Sequence, residues 1–139
     1  MRGLLCLLLL LVGGAHAATG PRVISRAPSM TEIMLELHAD DLLVGVLDGG
    51  ERTAGLAALP SVGRHGQLDM ERLLSLKPDL LLLWPGSVAP AQRDQLRRLG
   101  IATFSDEAKN LDQLIEQIET IGVRAVSYTH LTLPTILLV

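Results

Sequence analysis

Between residues 22 and 122 the chain alternates short apolar runs with stretches where apolar residues recur every third or fourth position, and this alternation restricts the fold most. Val23-Ile24 forms a β-like run that stops at Ala27-Pro28. Met30, Ile33, Met34 and Leu37 then repeat at i, i+3, i+4, i+7, the signature of one apolar helix face. Ser29 to Glu32 has the spacing of a capping box, which places the helix start at Ser29. A second run, Leu42-Leu43-Val44-Gly45-Val46-Leu47, breaks at Asp48-Gly49-Gly50 into a loop that reaches Gly66 through Pro60, Gly63 and His65. Asp69 caps a short helix with Met70, Leu73 and Leu74 on one face, and Lys77-Pro78 ends it.

Leu80-Leu81-Leu82-Leu83-Trp84 is uninterrupted apolar sequence, as a central parallel strand covered on both faces requires. Pro85-Gly86 turns the chain into a third helix over residues 87–99, with Leu96 and Leu99 inward, Arg93, Arg97 and Arg98 outward and Gly100 as its stop. Ile101 to Phe104 reads as a fourth strand. Asn110 caps a fourth helix whose Leu111, Leu114, Ile115, Ile118 and Ile121 share a face, with Gln113 in the capping-box position. Four strand-then-helix units joined by short loops imply an α/β fold: an open, mostly parallel sheet with helices on both faces.

The two ends depart from this pattern. Arg2 precedes an apolar run over residues 4–12, and Ala15-His16-Ala17 places small residues where a signal peptidase reads them, so residues 1–17 read as a secretory leader cleaved after Ala17. The run is shorter than the roughly 20 residues a membrane span needs, so stable membrane insertion is not expected. Cys6 leaves with the leader, which removes thiol chemistry and disulfides from the mature chain. At the other end every charged residue lies at or before Arg124, and residues 125–139 carry none. That break reads as foreign sequence from a mis-joined reading frame; the alternative is a final β-segment that Pro134 confines to a sheet edge. The expected organisation is therefore a leader at 1–17, one α/β lobe at 18–124 and an anomalous tail at 125–139.

Charge narrows the partners. Twelve Lys and Arg against fifteen Asp and Glu give a net charge of −3 without a basic block, which argues against nucleic acid. The mature histidines His38, His65 and His130 are too scattered for a metal-ligand spacing, and neither H-E-x-x-H nor the Gly-x-Ser-x-Gly elbow is present in the sequence. The turn Arg26-Ala27-Pro28-Ser29 has no glycines for a dinucleotide loop. No metal, cofactor or catalytic set is expected.

Geometry then supplies the candidates. In an open parallel sheet, ligands sit outside the carboxyl ends of the strands, so the expected lining is Pro28-Ser29, Asp48-Gly49-Gly50, Trp84-Pro85-Gly86-Ser87 and Ser105-Asp106-Glu107. The first helix points free N–H groups at the same edge, suited to a carboxylate, amide oxygen or phosphate. His65, in a glycine-flanked loop, is a candidate to stack on a ligand ring, and Trp84 to contact it from the end of the core strand. His38, at the end of the first helix, reads as a cation on the helix dipole.

Arg22-Val23-Ile24-Ser25, Ala27-Pro28-Ser29, Thr31-Glu32, Leu43-Val44-Gly45-Val46, Leu59-Pro60-Ser61-Val62-Gly63 and the run from Leu68 to Leu80 together resemble the substrate-binding proteins of iron-siderophore, haem and cobalamin ABC importers. Trp84-Pro85-Gly86, and Asp94-Gln95-Leu96 leading to Leu99-Gly100-Ile101, bring the cobalamin-binding type nearest. The resemblance implies one lobe of a two-lobed, monomeric periplasmic receptor in which a long helix joins the lobes and the ligand is clamped between them. It implies a metal chelate as cargo, packed on by the loop that holds His65, with the sheet-edge candidates Pro28, Ser29, Asp48, Trp84 and Gly86 completing the ligand side. It also implies an ABC permease as partner, docked through Glu71. Asp48-Gly49-Gly50-Glu51 departs from the aromatic loop common in the family, which keeps an iron-siderophore or haem receptor in view as the alternative to cobalamin. A reading of another class is a small exported enzyme, which requires Asp48, His65 and Asp106 to converge as an acid–base set.

Overall fold

The computed structural model describes residues 20–48 and 55–126; the leader, residues 49–54 and the tail beyond 126 lie outside the described residues. Four strands, β1 (Val23–Ser25), β2 (Leu43–Val46), β3 (Leu80–Leu83) and β4 (Ala102–Ser105), form one sheet in the order β2-β1-β3-β4. Every pairing is parallel: Ile24 lies opposite Gly45 and Leu81, and Leu82 opposite Phe104. All four strands thus end at one edge of the sheet, where their connecting loops gather. The expected open parallel sheet is what forms.

Three α-helices connect the strands, α1 (Pro28–Glu36), α2 (Met70–Ser75) and α3 (Pro90–Arg98), and a further one, α4 (Leu111–Ile121), follows β4. Alternation along the strands divides the apolar residues into two cores. Val23, Leu43, Leu80 and Leu82 pack with Met30, Ile33 and Met34 of α1 and with Ile118 and Ile121 of α4. Ile24, Leu81 and Leu83 pack with Leu73 of α2, Leu96 of α3, Val62, Val88 and Ile101. Helices therefore cover both faces, and the four leucines of β3 are buried on both sides.

The local signals mostly act where the sequence places them. Asp69 Oδ1 accepts from the Arg72 N–H at 2.9 Å, and Asn110 Oδ1 accepts from the Gln113 N–H at 2.9 Å. Each satisfies a donor that the first turn leaves free. α3 closes on Gly100 at φ 77°, where the Ile101 N–H reaches the Leu96 carbonyl and the Gly100 N–H reaches that of Arg97.

Several expectations are corrected. Ser29 is not the cap of α1: the helix begins at Pro28 with Ala27 as its N-cap and no side-chain capping bond. Proline at the first helical position needs no N–H there, and its fixed φ starts the helix one residue earlier. The Thr31 hydroxyl, 2.8 Å from Ser25 Oγ, and the Ser25 hydroxyl, 3.1 Å from the Ala27 carbonyl, tie this turn to β1 instead. α3 starts at Pro90 rather than Ser87 for the same reason, and Leu99 faces solvent. Gln113 Oε1 accepts from the Lys109 N–H, one residue before the cap it was expected to reach.

His38 lies just past α1 in the left-handed region, φ 54°, where its N–H meets the Leu35 carbonyl and that of Ala39 meets Met34. It closes the helix by backbone geometry. On α4, Leu111, Leu114 and Ile115 are exposed, and only the helix's last turns are covered, by Ile118 and Ile121. Among the described residues, no helix is long and apolar enough to cross a membrane.

Candidate functional site

The rim at the carboxyl edge starts with β1. Pro28 and Ser29, directly beyond it, are exposed in the first turn of α1. After β2 the chain reaches Asp48, whose N–H donates to the Gly63 carbonyl at 2.8 Å. The returning segment extends the sheet briefly: Val46 pairs with Ser61, and the Val62 N–H meets the Val46 carbonyl. Gly63 at φ 113° makes the following turn, and a Cβ there would lie 2.2 Å from the Gln67 carbonyl oxygen. Glycine is the residue this turn admits. The loop 64–67 is therefore held at both ends before α2 begins.

His65 projects from that loop, exposed, and its ring meets Trp84 edge to face, with centroids 5.6 Å apart and planes at 74°. This arrangement satisfies the opposite charges of ring edge and ring face. Trp84 follows β3 and is half-buried; its carbonyl accepts from the Ser87 hydroxyl at 2.7 Å, and Gly86 at φ 74° completes the turn. Two loops far apart in sequence thus present one aromatic pair at the rim.

Arg26 is bonded to the loops that carry both rings and was not among the residues the sequence singled out. It is 2% exposed, immediately after β1. One terminal nitrogen, Nη2, donates to the carbonyls of Arg64 (2.9 Å) and Gln67 (3.1 Å), and Nη1 reaches that of Ser87 at 3.4 Å. Nε is buried without a partner, and burial pushes the guanidinium below its ordinary pKa. The available signal was an arginine set between an apolar strand and an apolar helix.

Two open depressions flank the aromatic pair in sequence. One, of about 650 Å³, is lined by Asp48, Ser61, Arg64, Gln67, Asp69 and Arg72; the other, of about 430 Å³, by Pro85, Asp106, Glu107, Lys109, Gln113 and Glu116. Asp48 Oδ2 lies 3.4 Å from Arg64 Nε, and Asp106 Oδ2 accepts from Gln117 Nε2 at 3.2 Å. Glu71 is exposed in the first turn of α2. Among the described residues, no group of three or more His, Cys, Asp or Glu is placed to hold a metal ion. The sequence-derived candidates therefore fall into one joined pair, His65 with Trp84, and separate rim positions at Pro28, Ser29, Asp48 and Gly86, with Glu71 on the adjoining helix.

The sequence matches the periplasmic binding protein family over residues 23–126. This chain belongs to that family. It is 34% identical over 101 residues to the vitamin B12-binding protein of Vibrio cholerae serotype O1, a match that covers 73% of this chain and 37% of the relative. The vitamin B12-binding protein of Yersinia pestis strain Pestoides F is 35% identical over 106 residues, 76% of this chain and 38% of its own length. Among solved structures, the periplasmic vitamin B12 binding protein BtuF of Vibrio cholerae superposes with a TM-score of 0.67 at 31% identity, over 78% of this chain and 42% of that one. The periplasmic heme binding protein HutB of the same organism gives 0.67 at 31% identity, over 74% and 40%. The chain spans about two-fifths of the length of these relatives. The relatives are binding proteins, and their fold is the one found here.

Proposed function

We propose that this chain is the N-terminal lobe of an exported receptor that captures cobalamin or a similar metal chelate and delivers it to an ABC importer. The carrying observation is the His65–Trp84 pair on the rim where all four strands end, in a chain of this family. Aromatic rings at the rim offer polarisable surface against which a planar macrocycle can pack, while the N–H groups opening α1 suit an acidic or amide substituent. In this reading Pro28, Ser29, Asp48, His65, Trp84 and Gly86 line the ligand side and Glu71 docks the permease. The lobe works as a monomer, without a cofactor, after cleavage behind Ala17. Residues 1–17 act as address and 18–124 as the lobe, with the uncharged stretch 125–139 as an anomalous tail in sequence.

Haem or an iron-siderophore is the second cargo, favoured by the equal structural likeness to the Vibrio cholerae heme binding protein. A rim on one side buries only part of a large ligand, so the lobe alone is expected to bind weakly, above the micromolar range. The test joins residues 18–124 to the second lobe of the Vibrio cholerae vitamin B12-binding protein. The fusion is titrated with cyanocobalamin, haemin and a ferric siderophore, following ligand absorbance. Binding of one chelate that weakens at least tenfold on Trp84→Ala supports the reading; a folded fusion that takes up none of the three overturns it.

A further inference from the structure

Resting on that reading, the geometry points to Arg26 as the residue that positions the aromatic pair. His65 and Trp84 belong to different loops, and the direct link between their side chains is one ring contact. A single ring contact of that kind is a weak link between two loops. The guanidinium supplies what the rings lack. Through Arg64 and Gln67 it holds the residue before His65 and the one two positions after it; through Ser87 it holds the turn that Trp84 opens.

The side chain is an unusual one to bury for packing alone. Among the described residues, none of the hydrogen bonds the guanidinium makes goes to a carboxylate and Nε has no partner, and burial disfavours its charge. A leucine would fill the same space beside the apolar core without that cost. What a leucine could not do is bind carbonyls from two loops at once, because only the planar guanidinium fork presents several donors in fixed directions. The backbone N–H of Arg26 meanwhile donates to the Leu82 carbonyl at 2.9 Å, so the fork is anchored to the β1–β3 ladder. Arg26 thus transmits the position of the central sheet to both halves of the proposed ligand surface.

Trp84 is the chain's one tryptophan, so indole signals report this surface directly and need no ligand. Arg26→Leu is expected to keep the far-ultraviolet dichroism of the fold, to lose at least half of the indole near-ultraviolet dichroism, and to raise acrylamide quenching of Trp84 about twofold as the loops open. Arg26→Lys, with a charge but no fork, should fall between. Leu96→Ala, which loosens the core on α3, should lower stability and leave the indole signals at wild-type values.

Wild-type indole signals in folded Arg26→Leu overturn the proposal, as do indole signals in Leu96→Ala that move as far as those of Arg26→Leu. If Arg26→Leu fails to fold, Arg26→Lys carries the same test. Loss of folding in both assigns Arg26 to stability alone and overturns it too. Release of the indole in Arg26→Leu, beside a wild-type fusion that binds neither cyanocobalamin nor haemin, keeps the positioning role and removes the ligand reading.

Discussion

Strand β3 is apolar throughout and helix α4 carries an apolar stripe, and the two patterns meet opposite fates. Leu81, Leu82 and Leu83 are wholly buried, whereas Leu111, Leu114 and Ile115 are 70%, 37% and 46% exposed. Both patterns are regular, one continuous and one helical. The difference is position: β3 lies between β1 and β4 with helices on each face, while α4 joins the core only with its last turns. An apolar stripe therefore tells which side of an element avoids water, and the layers above and below decide how much of it succeeds.

The contrast is tested hardest at its buried end. Leu82→Ala should cost about 2–5 kcal/mol in urea unfolding, from lost transfer energy and the cavity left in a closed layer. A loss under about 1 kcal/mol would show that the sheet is not packed on both faces. Ile121→Ala, at the covered end of α4, should cost about 2–3 kcal/mol, somewhat less because the rim of a core relaxes more readily. A cost matching surface substitutions would extend the uncovered stretch along the whole helix.

Asn110→Ala removes the acceptor for the Gln113 N–H and should cost about 1 kcal/mol in the same assay, with Asn110→Ser recovering most of it. Ile115→Ser should change stability by no more than about 0.5 kcal/mol. A penalty several times larger would place Ile115 under a covering layer and erase the comparison.

How much was legible in the sequence follows the same division. The alternation of runs and periods specified the layers, and Asp69, Asn110 and Gly100 specified helix ends, because each acts through neighbours a few residues away. Prolines were read one step too weakly: Pro28 and Pro90 take the first helical position and displace Ser29 and Ser87 from the starts assigned to them. Leu99 and the first half of α4 were read as inward because periodicity carries no information about what lies opposite.

At the rim, parallel topology was enough to bring Pro28, Asp48, Trp84 and Asp106 to one edge. The pairing of His65 with Trp84 and the burial of Arg26 were not visible, since both depend on where the loop 64–67 folds back against the turn after β3. Local pattern does not encode such contacts between distant loops. The resemblance to metal-chelate receptors, by contrast, rested on many short motifs spread over the chain, and the family match over residues 23–126 spans the same stretch.

The strand order has a consequence for how this lobe comes into being. Val23 pairs with Leu43 on one side and Leu80 on the other, so the earliest strand of the described residues is an interior strand of their sheet. During synthesis β1 has one neighbour at most until α1, β2 and α2 have all emerged, and β4 follows later still. Loop-closure entropy is then spent before most contacts reward it, which sets a slow rate and leaves an unpaired, apolar edge open in the meantime. The lobe's vulnerability to aggregation is therefore greatest before β3 arrives, and a chaperone that shields Val23–Ser25 would act at the step that matters most.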